Sequence, residues 1–296
     1  MPVQSSTNPN DEVLEVETLN ENEVISCLWS KSATEKCRVG LADILLYEKG
    51  TPVRWYVTGK TGEILKKKGV DIPALKQRWE KIVAKSEAEY IGIVRQEGGV
   101  MKFLAKEAWE DYIRNKVPDP SILSLHCFIK GQSTNIFRNT FTMKDRLGRF
   151  ATNTFTYSYG GPDYDRTAKG AKQGDKNTDP VLVVIERDCK FTESRATAIK
   201  NIMDLATNTV VRYIENMLGI KILELSVDYV IDAKSQLWML WTSEAKIVRS
   251  TNLAAVTIPG LATGDRSGRM GWAGEKYVRI DMFMFRGLLL YTVVAL

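Results

Sequence analysis

The chain is poor in the side chains that most enzymes use for proton and metal chemistry. Its 296 residues contain one histidine, His126. That scarcity removes most acid/base, triad and metal-ligand schemes, and with them the usual partner of a serine or cysteine nucleophile. His126 sits in the run LHCF, inside a predicted strand, where a structural histidine is the economical reading. Cys27, Cys37, Cys127 and Cys189 are irregularly spaced, which fits neither a disulfide framework nor paired zinc ligands, so free thiols are expected. Long apolar runs are scarce too. The best membrane candidate, GLLLYTVVAL, gives ten residues after Arg286, whereas a span needs roughly 20. The opening MPVQSSTNPNDEVLEVE has no cationic start followed by an apolar run, so no secretory signal is expected and the cytoplasm is the default setting. Charge of one sign is also lacking, with 41 Lys and Arg against 36 Asp and Glu. Neither a nucleic acid nor a membrane is required as a partner.

What is present is a 44% apolar composition, enough for a real core. Residues 1–22 are polar and acidic and are expected to form a flexible arm. An N-terminal α+β unit is expected over 23–118, with strands in ILLYEKGTPVRWYVT and a hairpin around Gly98 and Gly99. Asp71 is a good N-cap for a helix through about Lys85, with Pro73 in its first turn and Leu75, Trp79, Ile82 and Val83 on one face. Trp109 falls on the apolar face of a second, shorter helix. Pro118 and Pro120 mark the internal boundary.

A C-terminal α+β unit follows over 119–248. LSLHCFIKG, NIFRNTFTMKD and RFATNTFTYSY read as antiparallel strands, VLVVIERD as a buried strand, and TESRATAIKNIMDLATNTVVRYIENML as a long helix ended by Gly219. Residues 249–296 are rich in glycine and are expected to be a weakly structured tail. The fold class is therefore α+β, antiparallel sheets packed with about three main helices in two units.

Three stretches invite a functional reading. VTGKTGE looks like a phosphate loop, but Arg54 stands where the fingerprint needs a further glycine, so a turn between strands is the better reading. The loop at 160–179 carries Arg166, Lys169 and Lys172 balanced by aspartates, which suits plain solvation or screened contacts to an acidic polymer such as a tubulin tail. VDYVIDAKSQLWMLWTSEAKIV, from Val227 to Val248, reads as two strands around a polar turn, with Asp228 and Asp232 on the first.

In that last stretch the region 120–248 resembles the ATP-grasp ligases, in particular the tubulin tyrosine ligase-like branch. The family's final strand reads tryptophan, two apolar residues, glutamate, one residue, asparagine, and its acidic and amide oxygens hold magnesium on ATP together with an aspartate of the preceding strand. Trp238, Met239 and Leu240 follow the pattern and Asp228 matches the aspartate, but Trp241 stands in place of the glutamate and Ser243 in place of the asparagine. Arg138, in RNT, is out of register with the family's basic residue. Glu244 is one residue away from Ser243, on the other face of a continuous strand. The resemblance implies retained architecture without a metal site. LWMLWTS is also similar to stretches of uncharacterised proteins of flagellated protists, which implies a cytoskeletal or ciliary setting.

The main expectation is a non-enzymatic binding or scaffold protein of the cytoplasm, cilium or flagellum, with tubulin or other axonemal proteins as partners and no catalytic residue, cofactor or metal. Its interface candidates are Trp55, Trp238, Trp241, Arg166, Lys169 and Lys172. The alternatives are a divergent ATP-grasp enzyme or nucleotide sensor, with Asp228 and Lys130 at the nucleotide, and a structural domain with no ligand.

Overall fold

A computed structural model of the chain describes residues 16–29, 36–115, 119–144, 149–159 and 180–249, together with the backbone of 278–285 and 288–295. The fold is α+β, as the sequence implies. Two antiparallel seven-stranded sheets carry it, with four helices among the described residues.

The first sheet is built from β2 (Ile44–Glu48), β3 (Thr51–Thr58), β4 (Ile64–Lys66), β5 (Tyr90–Gln96), β6 (Val100–Ala105), β7 (Ile122–Cys127) and β10 (Val181–Ile185). Their spatial order is β10-β6-β5-β7-β2-β3-β4. One face is covered by α2 (Ile72–Ser86) and α3 (Lys106–Asn115), whose Leu75, Trp79, Val83 and Trp109 pack with Leu45, Trp55, Val57, Val94 and Leu125 of the strands. Asp71 caps α2 as expected, accepting the Ala74 N–H at 3.1 Å. Trp79 and Trp109 stack with ring centroids 5.2 Å apart. Gly92 of β5 makes room for this pair, since a Cβ there would lie 3.2 Å from the Trp109 ring.

The second sheet holds β1 (Val16–Leu19), β8 (Asn135–Met143), β9 (Phe150–Ser158), β11 (Thr192–Glu193), β12 (Lys221–Ile231), β13 (Leu237–Thr242) and β14 (Ala245–Val248). Its order is β1-β14-β12-β8-β9-β11, with β13 also pairing β12. The long helix α4 (Thr197–Leu218) lies on it, burying Met203, Val210, Val211 and Ile214 against Phe141, Leu225 and Val227, and α1 (Glu21–Cys27) joins the same core. Gly219, at φ 63°, ends α4 in the left-handed conformation. Between the sheets, Ile93, Met101, Phe103 and Val184 of the first meet Ile136, Tyr157, Val230 and Trp241 of the second.

Several expectations change in three dimensions. The chain does not change sheets at 118–121: β7, just after that point, and β10 both pair within the first sheet, while β1 crosses back to pair with β14 of the second. Of the expected flexible arm 1–22, residues 16–19 form a strand and Glu21 opens a helix, and 1–15 lie outside the described residues. The VLVVIERD strand is an edge strand with Val183 exposed, because only β6 pairs with it. The long helix starts at Thr197, since Thr192 and Glu193 pair with β9 instead. Within the segment expected to be weakly structured, β15 (Val278–Phe285) and β16 (Leu288–Ala295) pair in an antiparallel hairpin, and 250–277 lie outside the described residues. No described helix is long and apolar enough to cross a membrane.

The stacked tryptophans yield the first prediction. Replacing Trp79 with alanine removes a fully buried ring and should lower stability by about 3–5 kcal/mol. A guanidinium midpoint that does not move would contradict this account of the first sheet's core.

Candidate functional site

The register of the second sheet brings the site together. Asp228 of β12 lies directly across from Arg138 of β8 on one side and Trp241 of β13 on the other. Arg138 in turn faces Phe155, and Tyr157 follows two residues on, on the same face of β9. All the polar atoms converge on the aspartate. Arg138 donates from Nε at 2.8 Å and from its second terminal nitrogen at 2.6 Å, one bond to each carboxylate oxygen. The Tyr157 hydroxyl donates at 3.0 Å, and the Trp241 indole N–H donates as well. Asp228 is 1% exposed.

From this pair a line of alternating charge runs across the two sheets. Arg138 donates to Glu186, which follows β10. Glu186 is 3.7 Å from Arg95 of β5, and Arg95 donates to Glu21 of α1 at 3.3 Å. The Arg95 guanidinium lies over the Trp241 ring at 4.8 Å. Burial pushes the Glu21 carboxyl up to about 7, and the attraction of Arg95 only partly offsets it. The charged neighbours and hydrogen bonds around Arg138 hold it firmly cationic despite its burial. His126 is fully buried in β7, edge-on to Trp241 and bonded to the Ser124 hydroxyl at 2.8 Å. Burial, and then the Arg95 charge, drive its pKa well below the ordinary 6.5, so it is neutral.

The line of charge opens into a cleft of about 850 Å³ lined by Glu21, Asn22, Arg95, Gly98, Gly99, Glu186, Arg187, Phe191, Thr242, Ser243 and Glu244, among others. Gly98 and Gly99 both have φ of 73°, and a Cβ on Gly99 would sit 3.0 Å from the Glu186 side chain, so this rim requires glycine on both counts. Three lining residues carry a buried polar atom with no hydrogen-bond partner: Asn22 Oδ1, Arg95 Nε and Thr242 Oγ1. They supply an acceptor, a cationic donor and a hydroxyl that does either.

The sequence-derived residues fall out unevenly. Asp228 lies beneath this cleft without lining it, with both oxygens engaged. Lys130 is exposed and donates to the Glu87 carbonyl at 2.9 Å, and it does not line the cleft either. Asp232 shapes the β12–β13 turn, accepting from the backbone of Lys234 and Gln236 and from the Trp238 indole. The interface anchors are corrected: Trp55 and Trp241 are 4% and 1% exposed and belong to the cores, and Trp238 is half-buried. Arg166, Lys169 and Lys172 lie outside the described residues. Glu244 does reach the cleft, because β13 ends at Thr242 and the alternation of a continuous strand no longer applies to it.

Magnesium does not fit here. Trp241 puts an N–H where a ligand oxygen is needed, and Arg138, Tyr157 and Trp241 use the oxygens of Asp228. Among the described residues no three His, Cys, Asp or Glu side chains are grouped to hold a metal ion. Sequence reasoning passed over Arg95, Glu21 and Glu186. For Arg95 the signal was a cation inside the apolar strand YIGIVRQ.

No protein-family model matches the chain, and no relative is found among curated protein sequences. Solved structures do resemble it in part, and they are ATP-grasp ligases. The ADP complex of PurK, N5-carboxyaminoimidazole ribonucleotide synthetase, is 9% identical with a TM-score of 0.40, over 76% of this chain and 44% of that one. D-alanyl-alanine synthetase A from Vibrio cholerae is 9% identical with a TM-score of 0.39, over 76% of this chain and 55% of its own. D-cycloserine synthetase DcsG is 11% identical with a TM-score of 0.38, over 69% and 57%. The chain thus spans about half the length of the structures it matches. None of them bears on the resemblance to proteins of flagellated protists.

The expected non-enzymatic scaffold is corrected: the solved structures that resemble the chain in part carry the names of synthetases and ligases. What the chain binds rests on its own residues.

Two predictions come from the line of charge. Arg138→Met leaves Asp228 buried and unpaired, and should cost about 3–5 kcal/mol in urea unfolding, whereas Lys246→Met, at an exposed pair with Glu224, should change little. Equal losses would show that the buried pair carries no special weight. Glu21 gives the second. Unfolded, its carboxyl ionises near 4.5; folded, near 7. Its contribution is therefore complete below the lower value and is lost as pH rises through the upper one. Glu21→Gln should gain stability relative to the parent between pH 5 and 8, and a difference that stays flat across that window would refute the shift.

Proposed function

We propose that the protein is a divergent ATP-grasp protein that binds a nucleoside triphosphate in the cleft between its sheets, through arginine and backbone rather than a magnesium–carboxylate pair. The observation that carries this reading is the set of unpartnered buried atoms on Asn22, Arg95 and Thr242 around one cleft. Native proteins leave few buried polar groups unpaired, and three such atoms on residues that line one cleft suit a polar ligand.

The remaining lining supports the same class. The cleft's 850 Å³ lies within the range of small-molecule sites. Arg95 in the floor and Arg187 at the rim suit phosphate oxygens, and the glycines let the backbone approach a ligand closely. Phe191, an exposed ring beside the cleft, offers a face for a base. Asn22 suits a sugar hydroxyl, since its amide nitrogen is fixed by the carbonyls of Tyr47 and Leu123 and its oxygen is left to accept.

Calorimetry with ATP, with and without magnesium, tests the reading. Saturable binding is expected under both conditions, and Arg187→Glu, at a well-exposed position, should weaken it about tenfold or more through the loss of one charge-assisted contact. An assay for ADP release in the same samples separates an enzyme from a sensor. Absence of saturable binding at millimolar ATP would overturn the proposal.

A further inference from the structure

A second recess lies where the turn between β3 and β4 meets helix α2. It measures about 670 Å³ and is lined by Lys60, Ala74, Gln77, Arg78, Lys81, Ile82 and Lys85. Lys60 comes from VTGKTGE, the stretch whose phosphate-loop spacing fails. The turn is closed by the Gly59 N–H on the Glu63 carbonyl at 2.8 Å and the Gly62 N–H on the Gly59 carbonyl at 3.2 Å. It is a strand connection, yet it brings its lysine to a helix that presents three more cations.

Those cations share one face of the helix. Arg78, Lys81 and Lys85 are spaced three and four residues apart, which stacks them along α2. Four cationic residues line the recess and no acidic one does. The carboxylates bonded to Arg78 and to the turn are already committed. Asp43, 5% exposed, grips Arg78 from below through both oxygens, and Glu63 accepts from the backbone and hydroxyl of Thr61. Lys60, Lys81 and Lys85 are exposed and have no ion-pair partner among the described residues. Like charges at such spacing repel one another, at a small cost to the helix that a bound anion would relieve.

We infer that this recess binds a small compound carrying two or more phosphate groups, with Lys60, Lys81 and Lys85 as its charge clamp and Arg78 as its fixed base. The concavity favours a compact ligand over a polymer. It has the size of a small-molecule site, and its cations come from a turn and a helix facing each other, not from a stripe along one element. Lysine suits the task as a mobile point charge that gathers phosphate oxygens without a fixed geometry. The inference does not depend on the cleft between the sheets, which lies at other residues.

Inorganic tripolyphosphate is the probe. Titrated into the full chain at low ionic strength, it should bind saturably, with affinity falling as salt is raised. In an Arg187→Glu background, which removes an exposed phosphate contact of the inter-sheet cleft, Lys60→Glu/Lys81→Glu/Lys85→Glu replaces only exposed side chains and should weaken binding at least tenfold. Circular dichroism confirms that each variant is folded. A control, Lys106→Glu/Lys190→Glu/Lys234→Glu, makes the same change of net charge elsewhere. Equal loss in the control, no saturable binding once Arg187→Glu is in place, tighter binding of an oligoglutamate peptide, or capture only by vesicles bearing phosphorylated headgroups would each overturn the inference.

Discussion

The constraint on which the rest of this structure depends is the buried ion pair between Asp228 and Arg138. A carboxylate at 1% exposure survives only if its charge is met at once. The sheet register meets it with a neighbouring strand's guanidinium, and a tyrosine and a tryptophan complete the shell. Such a pair rarely adds net stability over well-packed apolar residues, because desolvation consumes the Coulombic gain. Its value lies in what it positions. Arg138 reaches past Asp228 to Glu186 of the other sheet, so the pair sets the relation between the layers and not just the register of one.

The charge along this line explains the behaviour of its far end. Asp228, Glu186 and Glu21 alternate with Arg138 and Arg95, three acids against two bases. One negative charge is in excess, and the buried acid that is least tightly held is where a proton is favoured. Glu21 meets only Arg95, at 3.3 Å, and it is the member whose pKa rises to about 7. Around neutrality the line is therefore close to electrical balance. An anion entering beside Arg95 would meet a guanidinium shared between two weak partners, with an unpartnered Nε–H still to donate.

Much of the fold was legible because its signals are local. The Asp71 cap, the apolar face of α2 and Gly219 at the end of α4 depend on residues within a few positions of one another. The strands β7, β8 and β9 could be read from composition and alternation. Their partners could not. That β7 and β10 join the first sheet, and β1 the second, is decided by pairings between residues far apart in the chain, and no period in the sequence encodes those. Trp55 and Trp241 were misjudged for the same reason, since a tryptophan in a strand reads alike on an outer face and on one buried by a second layer.

The site shows the same division more sharply. The departure at Trp241 was visible as a substitution that removes an oxygen ligand, but its consequence was not. The indole does more than delete a ligand: its N–H takes hold of Asp228, and its ring face carries Arg95. One side chain thereby helps satisfy the buried carboxylate while supplying a surface for a cation. Positive charge is brought to this region by fixed guanidinium groups, Arg138 and Arg95. An arginine cannot be chelated away and does not exchange with solvent, but neither can it polarise a phosphoryl oxygen as a small, hard ion does. Recognition of an anion and activation of its phosphate, which a metal site combines, call for different groups, and guanidinium groups are suited to the first.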